Sequence, residues 1–372
     1  MNEHFSHETS CLLALAPAPA PADRTIMTSL LDPRIILTFT NQTTNTSYRG
    51  IAFDSLRGRL LVTDVLNHRV LVLSIDDGSL VSSFGDYGHS TCQLSSPVDV
   101  AIDHENGTYV LVADSDNHRV MVLSADEHSF VCQLGRYGQR PLELRYPAGV
   151  AIDHHLDYVL VSDTVNHRVQ VLRMSQAREL SFLFALGSEG HELGQLSAPG
   201  GLAVDSRRGR IVVMDSLNHR VQVFSAIDGS FLFAFGSQGD QPGQFYRPRR
   251  LCIDSQGRII VADTGNCRLQ SFTPEGHHIS SLDCRASTTG VAFDEHRGLI
   301  AFSTDDRVHV IGANQWLADT FTWRPDRHRY APRWMKQAIS TMTMIRSLVD
   351  DSESASMSMI PNEILFEIFS FL

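Results

Sequence analysis

Asp114–Arg119 reads D-S-D-N-H-R, and four close copies share the chain with it: D-V-L-N-H-R at Asp64–Arg69, D-T-V-N-H-R at Asp163–Arg168, D-S-L-N-H-R at Asp215–Arg220 and D-T-G-N-C-R at Asp263–Arg268. Their asparagines, Asn67, Asn117, Asn166, Asn218 and Asn266, stand 50, 49, 52 and 48 residues apart. A period in that range, carrying several short apolar strands and turn residues, marks a radial or stacked repeat architecture rather than one irregular core.

Reading outward from Asp114, the second unit divides into Val98–Asp103 (V-D-V-A-I-D), Tyr109–Asp114 (Y-V-L-V-A-D), Arg119–Leu123 (R-V-M-V-L) and a run from Phe130 to Gly135. Short Val/Ile/Leu runs separated by Asp, Asn, Gly and His turns read as buried antiparallel strands. Equivalent first strands end in Asp54, Asp103, Asp153, Asp205, Asp254 and Asp294, which makes six units, one more than the turn copies. The sixth unit, Gly290–Ile311, is degenerate: its turn reads Asp305-Asp306-Arg307, and the Phe/Leu-Gly ending seen at Gly85, Gly135, Gly187 and Gly236 is missing before it. No fourth strand follows Val310. Arg34–Phe39 (R-I-I-L-T-F) has the character of an outer strand and precedes the first unit. Paired into the sixth unit, it would close a ring and leave few exposed edges. The expectation is an all-β, six-bladed β-propeller over 34–312, closed by an N-terminal strand and followed by a short α-helical C-terminal tail.

Flanking segments differ in composition. Residues 1–33 form an Ala/Pro-rich arm, with the alternating tract Ala16–Ala22, and are expected to be disordered. A connecting segment, 313–358, places Trp334, Ala338, Ile339, Met342, Ile345, Leu348 and Val349 on one helical face between Arg333 and Asp351. Residues 359–372 end the chain as I-P-N-E-I-L-F-E-I-F-S-F-L from Ile360.

The formal charge of −11 over 372 residues disfavours general phosphate binding. Of the 31 basic residues only Lys336 is lysine. Six cysteines without a C-x-x-C pair suggest neither a zinc site nor a disulfide framework, which fits a reducing compartment. The short apolar run Cys11–Ala16 lacks the positive flank of a secretory signal, and no stretch reaches membrane-spanning length, so a cytoplasmic location is expected.

The five D-x-x-N-[HC]-R turns resemble NHL repeats, and the spacer Phe235–Pro248 (F-G-S-Q-G-D-Q-P-G-Q-F-Y-R-P) is similar to the linker of that family. The resemblance spans about residues 34–312, with Cys267 replacing histidine in the fifth copy. It implies a platform for proteins or RNA, in some cases tied to ubiquitin-ligase machinery; a minority of such propellers are lyases or hydrolases with metal in the central channel. The terminal thirteen residues resemble the first helix of an F-box. That likeness implies adaptor contacts by Ile360, Pro361, Ile364, Leu365, Ile368 and Phe369, with a Skp-type adaptor as partner, although the match stops well short of a whole F-box.

Candidate sites follow from what repeats and what varies. Asp64, Asn67, Arg69, Asp114, Asn117, Arg119, Asp163, Asn166, Arg168, Asp215, Asn218, Arg220, Asp263, Asn266 and Arg268 recur in register, as a structural role requires: Asp and Asn bond turn backbone, and Arg pairs with the aspartate. A metal-dependent site would need His, Asp or Glu at the channel. The starts of the first strands, Pro97–Asp99, Tyr146–Gly149, Ala198–Gly201 and Pro248–Arg250, offer little beyond Asp99. His104, His154 and His155 follow the strands on the far side. No catalytic residue, metal or cofactor is expected. Partner binding is expected on the variable loops between units, through Arg136, Tyr137, Arg140, Arg145 and Tyr146 in one loop and Tyr246, Arg247, Arg249 and Arg250 in another. The leading expectation is a non-catalytic scaffold that recruits a protein, as the substrate-recognition part of a ubiquitin ligase. A single-stranded RNA binder and a metal-dependent propeller lyase or hydrolase are the alternatives.

Overall fold

The computed structural model describes residues 35–40, 45–103, 108–153, 155–175 and 180–317. The chain divides into a unit over 1–320 and a second over 321–372. The second unit lies outside the described residues, as do the arm 1–33, the amphipathic segment Arg333–Asp351, the F-box-like segment, His104 and His154.

Six four-stranded antiparallel sheets make up the described structure. Blade II shows the pattern, running from Pro97–Ile102 innermost through Tyr109–Asp114 and Arg119–Ser124 to Phe130–Leu134 outermost. The inner strands of the six blades are Tyr48–Asp54, Pro97–Ile102, Pro147–Asp153, Pro199–Asp205, Arg250–Ile253 and Gly290–Asp294. Each touches the next, and the sixth touches the first, so they surround a central channel. Blade VI contains Gly290–Asp294, Leu299–Ser303 and Arg307–Gly312, with Ile35–Thr40 hydrogen-bonded outside them. Leu37 pairs with Val310 and Phe39 with Val308 in that ladder.

The two middle strands of each blade read as nearly continuous apolar runs because both faces are covered by neighbouring blades. Val110, Leu111, Val112, Val120, Met121 and Val122 are all fully buried. The core is accordingly divided into layers between blades: Leu61 and Val70 of blade I pack with Val110, Val112 and Met121 of blade II. At the foot of the inner strands of blades I, III, IV, V and VI a buried aspartate holds the turn, as where Leu156 N–H donates to Asp153 Oδ1 at 2.9 Å and His296 N–H to Asp294 Oδ1 at 2.9 Å. The antiparallel order puts the D-x-x-N-H-R turns and the long loops between blades at one end of the ring, called here the loop face.

Candidate functional site

Each repeat turn fastens one inter-blade loop. In blade III the buried Asp163 carboxylate accepts from Arg145 N–H (2.7 Å), Asn166 Nδ2 (2.9 Å) and Arg168 Nε (2.8 Å). Asn166 also donates to Gly138 O, and Arg168 to Arg140 O and Glu143 O, all carbonyls of the loop arriving from blade II. Asp114, Asn117 and Arg119 hold the loop from blade I in the same way, as do Asp215, Asn218 and Arg220, and Asp263, Asn266 and Arg268, for their own loops. Asp64 binds Asn67 and Arg69, and Asn67 reaches Asn45 O. Burial pushes the Asp114 carboxyl pKa up, while the Ser95 N–H, Asn117 and Arg119 pull it back.

The histidine works in the opposite direction along the chain. His68, His118, His167 and His219 accept at Nδ1 from the backbone N–H of Ser96, Tyr146, Ala198 and Arg247 in the loop leaving the blade. Those four loop residues all have φ near +50° immediately before a proline, a left-handed conformation that costs a non-glycine residue about 1 kcal/mol or more. The histidine acceptor offsets part of that cost. In blade V, Cys267 occupies the histidine position, and the following link to Gly290 is short, without a comparable loop to fasten.

Over this frame the expected partner residues gather into two stacks. Tyr137 and Tyr146 flank the His118 ring at 5.0 and 4.5 Å, and the Arg145 guanidinium lies over Tyr137 at 5.3 Å. Tyr246 stacks on His219 at 5.7 Å with Arg247 over its ring at 5.9 Å. Burial holds the His118 and His219 pKa values below the usual range, with Arg145 and Arg247 acting in the same direction. Arg136 pairs with Glu143 at 3.0 Å, and Arg140 is exposed.

Arg250 lies elsewhere. Assigned by sequence to the surface patch, it is buried inside the channel, because its strand position is the innermost of the blade. Its Nε is 3.3 Å from Asp99 Oδ1, and its Nη2 donates to Val98 O (2.8 Å) and Ala148 O (2.6 Å), bridging blade V to blades II and III. Asp99 Oδ2 accepts from Val150 N–H at 3.0 Å, and burial raises the Asp99 pKa despite Arg250. Ladder register explains the pairing. One step toward the loop face from Ile51, Val100, Val150, Leu202, Leu251 and Val291 stand Gly50, Asp99, Gly149, Gly201, Arg250 and Gly290. A Cβ at Gly50 would collide with the Asp99 backbone, and one at Gly290 with Arg49 O, so the ring is too tight there for other side chains. The ion pair fills it. Beyond the pair toward the other face lies a cavity of about 210 Å³ walled by the inner strands, its surface a mixture of polar and apolar atoms.

A channel metal does not fit these residues. Asp99 is committed to Arg250, and among the described residues no three His, Cys, Asp or Glu side chains come together as a metal-holding group. Sequence reasoning missed Arg49, whose place at the channel mouth emerges once the six inner strands are aligned. It also missed the apolar third residue of the repeat turn, Leu66, Val165 and Leu217, exposed on the loop face.

The NHL repeat pattern matches residues 144–172, 196–224 and 245–272. No curated protein matches the chain by sequence. Among solved structures, a gluconolactonase from Xanthomonas campestris is 16% identical with a TM-score of 0.57, covering 74% of this chain and 89% of that one. A protein of unknown function from Bacteroides thetaiotaomicron is 15% identical at 0.57, covering 74% and 72%. A structure with a provisional gluconolactonase assignment is 15% identical at 0.57, covering 74% and 91%. At this identity the likeness carries the fold. It also corrects the expectation that the chain is not an enzyme: propellers of this build include a gluconolactonase, so the architecture gives no ground for denying catalysis. The turns at Asp163, Asp215 and Asp263 lie in segments that match the NHL repeat, and the chain folds as a six-bladed propeller.

Proposed function

We propose that the loop face is a binding surface for a protein partner. The observation that carries this reading is the distribution of exposed apolar groups. Of fifteen exposed large apolar side chains among the described residues, eight stand on this face: Leu66, Val165 and Leu217 on repeat turns, and Tyr87, Tyr137, Tyr146, Leu193 and Tyr246 on inter-blade loops. Grouped apolar exposure rimmed by arginine suits a protein interface, where tyrosine and arginine supply much of the affinity. Net charge of −11 weakens the competing RNA reading.

The test compares crosslinked partners of three proteins: the full chain, Tyr137→Ala/Leu217→Ser, and Ile227→Ser, which alters an exposed residue at the opposite end. Proteins held by the full chain and by Ile227→Ser but lost from the loop-face variant support the reading; equal recovery by all three overturns it. Steeply salt-dependent retention of RNA would favour the nucleic-acid alternative instead. Gluconolactone turnover with added divalent metal would move the assignment to hydrolysis. The finer reading, that capture serves a ubiquitin ligase, rests on the motif from Ile360 alone, and co-purification with a Skp-type adaptor checks it.

A further inference from the structure

One step above the Asp99–Arg250 pair, toward the loop face, the ring of inner strands carries Arg49, Val98, Ala148, Gly200, Arg249 and Thr289. Four of these are small or medium and uncharged, so the mouth of the channel is left to two arginines. Blades I and V supply them, on either side of Thr289 in blade VI. Neither guanidinium has a hydrogen-bonding or ion-pairing partner among the described residues, and Arg49 Nε is buried without one. Arg250 lies beneath them, its Nη2 donating to Val98 O and Ala148 O and its Nη1 to Arg249 O, while its Nε is ion-paired with Asp99 without a hydrogen bond.

Like charges held together at a half-enclosed mouth are unfavourable unless something negative joins them. Burial, Arg249 and Arg250 all depress the Arg49 pKa, and Asp305 and Asp116 only partly oppose them. Arg249 is exposed by surface area yet crowded by the channel walls, and its pKa is lowered by that desolvation and by Arg250 and Arg247, with Asp305 opposing as it does at Arg49. The guanidinium fork matches the paired oxygens of a carboxylate or phosphate, and two forks can grip one such group.

We propose that the channel mouth binds a single oxyanion, the phosphate or carboxylate group of a small ligand, between Arg49 and Arg249 above the Asp99–Arg250 plug. The site goes beyond the loop-face interface and does not depend on it: Tyr137→Ala/Leu217→Ser should leave anion binding intact.

The experiment is thermal melting of the purified chain in inorganic phosphate, in succinate and in sodium chloride at matched ionic strength. A saturable rise in phosphate, in succinate or in both, above the chloride control, is expected; the arm that responds identifies the group. In Arg49→Gln/Arg249→Gln the apparent Kd should weaken at least tenfold. If the double variant does not fold, Arg249→Gln, at an exposed position, carries the same comparison. A response equal to chloride in the unaltered chain, or one undiminished in the variants, overturns the site.

Discussion

Asp163 shows at single-residue scale why the motif recurs from blade to blade. A fully buried carboxylate must be surrounded by donors, and four arrive: Arg145 N–H, Asn166, Arg168 and Gln170. Three of them lie within seven residues of the aspartate, which is why the Asp, Asn and Arg of the motif are legible in the sequence. Gln170 is a weaker signal, because its position holds Gln222 and Gln270 in blades IV and V but Leu71 and Met121 in blades I and II, and its side chain also reaches the loop carbonyl of Glu143. Removing the guanidinium leaves a buried charge short of its partner, so Arg168→Ala should cost about 3 kcal/mol. Because Asp163 and Arg168 share one network, the loss in Asp163→Ala/Arg168→Ala should fall well below the sum of the single losses. Urea unfolding of the four proteins measures both, and additive losses would show the pair to be uncoupled.

The inter-blade loop is the next unit of construction. Each long loop drops one apolar peg between blades: Leu94, Leu144, Leu196 and Phe245 are almost wholly buried, and a parallel bridge such as Tyr137 with Leu144 fixes the loop behind the peg. The sequence marks these loops and their variability but not the pegs, because a lone Leu or Phe in a polar loop has no periodicity to reveal it. Between blades V and VI the link is short, and a pocket of about 430 Å³ opens over Phe302, His309 and Ile311. His309 stands two residues after the turn arginine, where blades III, IV and V have Gln170, Gln222 and Gln270. Burial, with Arg307 nearby and Asp306 opposing, lowers the His309 pKa to about 4, and its Nδ1 is 3.0 Å from Thr38 Oγ1. The folded state therefore resists the proton that the unfolded chain accepts near pH 6.5. Stability is complete above that pH and falls as pH drops toward 4, by up to about 3 kcal/mol from this residue. His309→Gln should flatten that acid limb in melts taken from pH 7 to pH 4.5, while an unchanged slope would assign the loss to other groups such as His128, also lowered to about 4.

At the scale of the whole molecule, the ring is a question of how its ends meet. The repeat count, the missing outer strand in the sixth unit and an apolar run ahead of the first are readable from sequence. The channel is not: its Gly50, Asp99, Gly149, Gly201, Arg250 and Gly290 layer draws one residue from each blade, so nothing local marks it. The N-terminal strand tests the join directly, since Leu37 and Phe39 pack on the core shared by blades VI and I, with Phe39 and Tyr48 ring centroids 6.1 Å apart. Both are only partly buried, so Leu37→Ala/Phe39→Ala should cost about 3 kcal/mol, below the full core-truncation range. For a domain of this size that corresponds to a fall in Tm of roughly 6–10 °C. Ile36, just ahead of Leu37 and 59% exposed, points away from that core, and Ile36→Ser should leave Tm nearly unchanged. Alternation between buried and exposed neighbours is the signature of a strand seated on a sheet. Equal, small effects at all three positions would mean that blade VI stands without its fourth strand, and that the ring is held by inner-strand contacts alone.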